Sequence, residues 1–138
     1  MHRDLKSQNI FLTKKSLVKL GDFGIARVLS NTRSKAKTVV GTPYYLSPEI
    51  IEGSPYSFKS DIWSLGVLLY EMCALCPPFN AGSLHQLAQR IIKGQFDKIP
   101  RQYSNGLGSL ISSMLQKDPT RRPTINQLLR MPIIERRI

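Results

Sequence analysis

Residues 57–78 read SFKSDIWSLGVLLYEMCALCPP, and this stretch constrains the fold more than any other. Ser57 or Ser60 can cap a helix start, apolar residues then fall on every side, and Pro77 and Pro78 stop the run. A helix that is apolar all round has no face to offer water, so other elements must surround it. The chain therefore needs a domain built around this segment. Its 138 residues suffice for one such domain with a real core.

The segments after it supply helical partners. In 83–94, Leu84, Leu87, Ala88, Ile91 and Ile92 recur at helical spacing, with Ser83 as the starting cap and Gly94 at the end. From Gly106 the pattern repeats through Leu107, Leu110, Ile111, Met114 and Leu115, breaking before Pro119, and residues 124–132 predict a short last helix. The front of the chain differs. NIFLT and LVKLGDF are strand-like runs separated by KKS, which suits a hairpin. SNTRSKAKT at 30–38 has no apolar period and predicts an exposed loop. Three prolines and two glycines in VVGTPYYLSPEIIEGSPY leave room for one short helix, PEII. The expected class is α+β, mainly α: short β-hairpins at a front edge, followed by a helical bundle.

Twenty Lys and Arg against nine Asp and Glu give a net charge of +11. Such a balance can mark a nucleic-acid surface. Here the basic residues are scattered and not interleaved with aromatics as a stacking platform requires, which argues against that partner. Cys73 and Cys76 form a C-x-x-C without a second ligand pair, and their apolar surroundings favour small core hydrophobes over a zinc or redox site. No run approaches the roughly 18 apolar residues of a membrane span. The N-terminus lacks signal-peptide order, so an intracellular, cytoplasmic setting is expected.

Chemistry concentrates at the front edge. Asp4, Asn9 and Asp22 offer two carboxylates and an amide, oxygen donors suited to Mg²⁺. Arg3 and Lys6 add positive charge for an anionic substrate. Gly21 and Gly24 bracket Asp22, allowing a sharp turn or close ligand approach. A single Asp beside a Gly is usually a turn residue. The combination instead suits phosphoryl transfer, where positioning and charge neutralisation dominate.

HRDLKSQN at 2–9, DFG at 22–24, SPE at 47–49, DIWSLG at 61–66 and DPTRRPT at 118–124 together resemble the ordered motif set of eukaryotic protein kinases. The resemblance covers the whole chain and corresponds to the C-terminal lobe. It implies a catalytic loop at 2–9, an activation segment at 22–49 and a helical subdomain at 57–131. It implies that Asp4 accepts or orients the substrate hydroxyl's proton, that Lys6 contacts the transferring phosphate, and that Asn9 and Asp22 hold Mg²⁺ against ATP. Lys6, two places after Asp4, resembles the serine/threonine class. Thr38 matches an activation-loop phosphosite, with Arg3, Arg27, Lys35 and Lys37 as candidate phosphate partners. Thr42 resembles the threonine that contacts the catalytic Asp and Lys. Glu49 is similar to an acid that pairs with a buried arginine, here Arg122, and Asp61 to one that holds the catalytic loop from beneath. Trp63 is expected in the core. LGDFGIARVL, GTPYYLSPEI and SDIWSLGVLLYEM most resemble the NIMA-related (NEK) serine/threonine kinases, with Ser47 standing where Ala is commoner.

The resemblance also implies what a kinase would have ahead of these motifs: a Gly-rich loop, a strand lysine and a helix with its glutamate. The sequence contains none of them, and the expectation is a piece of a longer kinase, inactive alone, with an apolar patch exposed around the central helix. Its partners would be ATP and a protein bearing a Ser or Thr acceptor. A non-catalytic module that binds substrates or a scaffold is the alternative; retention of Asp4, Asn9 and Asp22 favours the enzyme.

Overall fold

The computed structural model describes residues 1–21 and 43–137. A 3-10 turn, Ser7–Asn9, leads into strands β1 (Ile10–Leu12) and β2 (Val18–Leu20). Helices follow: α1 (Pro48–Ile51), α2 (Phe58–Ala74), α3 (Leu84–Lys93), α4 (Asn105–Met114), a 3-10 turn Pro119–Arg121, α5 (Ile125–Leu129) and α6 (Pro132–Glu135). This is the mainly helical α+β arrangement expected, with a two-stranded antiparallel hairpin at its front.

The strands pair Ile10 with Leu20, Phe11 with Lys19 and Leu12 with Val18. The hairpin shows its apolar side chains: Phe11, Leu12, Leu17, Val18 and Leu20 are 41–73% exposed. Part of the apolar exposure among the described residues thus falls on the hairpin. On α2, Ile62, Trp63, Val67, Leu68, Tyr70 and Cys73 are buried, while Phe58 and Met72 are exposed.

Both serines considered for the α2 start take part in it. Ser57 Oγ accepts the Lys59 N–H and Ser60 Oγ accepts the Ser57 N–H, a reciprocal cap that satisfies end donors. The helix stops before the prolines: Leu75 turns left-handed at φ 58° and closes the end through its N–H to Glu71 O. α3 begins at Ser83 and ends at Gly94, φ 69°, whose missing side chain makes that turn inexpensive. Leu84, the first residue of its apolar pattern, is exposed, and the helix buries Leu87 and Ile91 instead. α4 starts one residue earlier than its apolar pattern suggests, because Ser104 accepts the Leu107 N–H. The pattern also misses α6, four residues begun by a proline.

The core gathers around α2. Trp63 stacks on Phe79 at 5.5 Å and 7°, and Phe96 meets the Phe79 and Tyr70 rings edge-on. Leu87, Ile91, Ile111 and Leu115 complete this cluster; Ile62, Leu110, Met114 and Leu128 form a second beside it. Full burial of each large side chain contributes about 1.5–3 kcal/mol relative to exposure. Gly66 lets α4 approach α2 closely, since a Cβ there would lie 2.9 Å from Met114 Cβ. This rigid body carries the catalytic-loop residues on its front.

Candidate active site

Asp4, Lys6 and Asn9 lie within one short turn. Lys6 is extended (φ −159°, ψ 163°), and its carbonyl accepts the Asn9 N–H at 3.0 Å, folding Asn9 back toward Asp4. The Asn9 side-chain amide donates to Asp4 backbone O at 2.7 Å and to Asp4 Oδ2 at 3.0 Å. Both N–H groups of that amide are thereby engaged, and its carbonyl oxygen is the group left for another partner. Lys6 Nζ stands 3.1 Å from Asp4 Oδ2, with both side chains partly open to water. One carboxylate, one ammonium and one oriented amide therefore converge.

The turn is fixed from beneath by Asp61 in the first turn of α2. Its Oδ2 accepts the His2 N–H at 2.9 Å, and its Oδ1 accepts the Arg3 N–H at 2.9 Å and the Tyr56 hydroxyl at 2.8 Å. Arg3 has φ 72°, a left-handed conformation that costs a non-glycine residue roughly 1–2 kcal/mol. Burial first, and then the Asp61 carboxylate, push the Tyr56 phenol far above its ordinary range, so it remains a donor.

His2 is buried and links this turn to the far end of the hairpin. Its Nδ1 accepts the Asp4 N–H at 3.2 Å, so Nε2 carries the proton and donates to Gly21 O at 3.0 Å. The Gly21 N–H in turn donates to Asn9 O at 2.9 Å. The residue immediately before Asp22 is therefore tied to both His2 and Asn9. Asp22, Thr38 and Thr42, with the 30–38 loop and Arg27, Lys35 and Lys37, lie outside the described residues. Among the described residues, no group of three or more His, Cys, Asp or Glu side chains is placed to hold a metal ion.

Glu49 and Arg122 come together from 73 positions apart, each guanidinium NH₂ nitrogen reaching one carboxylate oxygen at 2.7 Å. Ser60 Oγ donates to the same Glu49 at 2.9 Å, and the Arg122 guanidinium sits 4.9 Å over the Trp63 ring. Cys73 is buried, which pushes its thiol pKa up, and Cys76 is exposed; both are free. Among the described residues, no helix is long and apolar enough to cross a membrane.

Sequence reasoning missed the parts played by His2, Tyr56 and Tyr45. Tyr45 connects Ser7, beside Lys6, to Glu71 on α2. No periodicity or spacing links those three positions, because the contacts arise only when α2 passes behind the turn.

A catalytic-type turn of this composition, pinned to the central helix of a mainly helical lobe, defines a class, and the chain belongs to it: the protein kinase domain family matches residues 1–134. Its resemblance to the NIMA-related kinases is borne out as well. The chain is 53% identical over all 138 residues to the mouse (Mus musculus) serine/threonine-protein kinase Nek1, covering 12% of that protein. It is 54% identical over 134 residues to mouse Nek2, covering 97% of this chain and 30% of the relative. Against human (Homo sapiens) Nek5 it is 53% identical over 136 residues, covering 98% and 19%. The chain thus spans less than a third of each of these relatives. Protein kinases as a family use ATP and Mg²⁺.

Proposed function

We propose that the chain supplies the catalytic lobe of a serine/threonine protein kinase that moves the terminal phosphate of ATP to a protein hydroxyl. One observation carries this reading: the Asn9 amide and Lys6 ammonium both meet Asp4, while Gly21 brings the chain entering Asp22 against Asn9. Asp4 then receives or orients the acceptor hydroxyl's proton, and Lys6 neutralises charge on the passing phosphate. The Asn9 carbonyl oxygen and the Asp22 carboxylate are donors of the hard-oxygen type that Mg²⁺ takes, so the available chemistry fits the metal. The ion, when bound, neutralises charge on the nucleotide phosphates.

The same reading assigns 2–9 as catalytic loop, 22–49 as activation segment and 57–131 as helical subdomain, in an intracellular setting where ATP is available. The family resemblance makes Thr42 the residue that would meet Asp4 and Lys6. Thr38 is the regulatory phosphosite, and Arg3 its phosphate partner.

The test is a chimera in which residues 1–134 replace the matching segment of mouse Nek2. It is expected to transfer labelled phosphate from ATP to serine or threonine peptides. Asp4→Asn is expected to lower the rate about 10²–10⁴-fold. The 138-residue chain alone is expected to transfer none. A folded chimera without transfer, or one indifferent to Asp4→Asn, would overturn the assignment.

A further inference from the structure

The connection between α3 and α4 crosses the surface with its peptide groups almost unused. Residues 95–102 belong to no helix or strand. Among the described residues, the backbone of 95–101 makes one hydrogen bond, Pro100 O accepting the Tyr103 N–H at 3.1 Å. Phe96 packs edge-on against the Phe79 and Tyr70 rings, and Ile99 is half-buried, while Gln95, Asp97, Lys98 and Arg101 are exposed. Packing therefore fixes the segment but leaves its amides and carbonyls to water.

A cleft of about 1430 Å³ lies between this segment and α4. Ser109 and Ser112 stand on the α4 side, and their hydroxyls make no hydrogen bond among the described residues. Lys98 and Arg101 line the cleft without an ion pair among those residues, and Asp97 is the acid among its lining side chains. Further cations border it. A Cβ on Gly94 would stand 3.7 Å from Lys117 Cβ, which brings Lys117 beside the end of α3, where Lys93 is the last residue. Asp118, next in sequence, is turned to Thr120 and Arg121 instead.

We propose that this cleft docks an acidic stretch of a partner protein. The peptide lies extended, its main chain pairs with the free peptide groups of 95–99, and its carboxylates meet Lys98 and Arg101. Main-chain pairing supplies the grip in such a mode, and the cations select the sequence. A nucleic acid would meet the same cations but has no row of amides to match the segment. None of these residues holds Asp4, Lys6 or Asn9, so the proposal goes beyond the kinase reading and does not depend on it.

The test titrates the 138-residue chain with a blocked octapeptide of Glu and Asp, following backbone amide resonances. Those of 95–99 should move together and saturate. Lys98→Glu combined with Arg101→Glu changes two exposed side chains and should weaken binding about tenfold. Lys14→Glu combined with Lys15→Glu makes the same charge change at the exposed hairpin tip and should alter the affinity by less than about twofold. The octapeptide N-methylated at alternate residues keeps its carboxylates, loses amide donors and should bind about tenfold more weakly. Unmoved 95–99 amides, or an N-methylated peptide that binds as well as its parent, would overturn the proposal. Equal losses in the two charge-reversed chains would overturn it by showing attraction to net charge alone. Equal affinity of a single-stranded octanucleotide at the same amides would overturn it in favour of a nucleic-acid site.

Discussion

Asp61 Oδ1 accepts the backbone N–H of Arg3 at 2.9 Å, holding in place a residue whose φ of 72° is unfavourable without support. The other oxygen takes the His2 N–H, so a single carboxylate organises two consecutive peptide units. Asp61→Asn retains one acceptor oxygen and turns the other into a donor facing an N–H. This substitution is expected to cost about 1–3 kcal/mol in urea unfolding, the range for a buried group left unpaired. It should also lower phosphate transfer in the chimera, because Asp4 follows the released peptide. Unchanged stability would mean that other contacts hold the loop.

Arg122 uses all of its donors. Nε gives to Gln116 O at 2.7 Å, one NH₂ to Glu49 Oε1 and Lys59 O, and the other to Glu49 Oε2 and Lys117 O. Lysine has three donors on a point charge and leaves at least two of these acceptors unsatisfied. Arg122→Lys should therefore destabilise the chain by about 2–5 kcal/mol despite keeping the charge. Chemical denaturation of the two proteins side by side provides the measurement.

The same pair gives the chain an acid-sensitive component. Burial alone would raise the Glu49 carboxyl, but the hydrogen bonds and charge of Arg122, with Ser60 adding to them, prevail and hold it below its ordinary range. A depressed folded pKa means that the unfolded chain takes up the proton first as pH falls. The stabilisation is thus complete above the ordinary carboxyl range and is lost as pH drops through the folded value. The stability gap between the native chain and Glu49→Gln is expected to narrow steadily below about pH 4.5. A gap that stays constant down to pH 3 would contradict this.

What the sequence revealed and what it hid have separate physical causes. Caps and apolar periods are local, so Ser57, Ser83 and Gly94 mark helix ends where they were read, and α2 lies at the centre because its composition permits no other place. The turn around Asp4 and Asn9 was legible as a spaced constellation. Burial of individual positions was not: Leu84 fits the helical period yet faces water, and the hairpin's alternation says nothing about what covers either face. Ties such as Tyr45 to Glu71 depend on how distant elements meet, and no short-range pattern encodes that.

Gly66 records such a meeting. An added Cβ would stand 2.9 Å from Met114 Cβ and 3.0 Å from Leu115 Cδ2, tighter than packed carbons tolerate. In an isolated helix, Gly to Ala gains about 1 kcal/mol. Here the forced separation of α2 and α4 should outweigh that gain, leaving Gly66→Ala net destabilising by about 1–2 kcal/mol, as overpacked cores are. A higher unfolding temperature in the variant would show that α4 yields easily.

Leu75 offers the opposite case. It ends α2 in a left-handed conformation at φ 58° and is 89% exposed, so its side chain contributes little burial in return for the backbone cost. Glycine adopts that conformation without the Cβ clash, although it adds freedom to the unfolded chain. The two effects differ in size: about 1–2 kcal/mol of strain relieved against roughly 0.5–1 kcal/mol of added unfolded entropy. Leu75→Gly should therefore raise stability by about 0.5–1 kcal/mol and leave the catalytic turn untouched, since Asp61 holds that turn from the opposite end of α2. Thermal unfolding of the variant is the measurement, and a lower midpoint would show that Leu75 contributes packing that its exposure does not reveal.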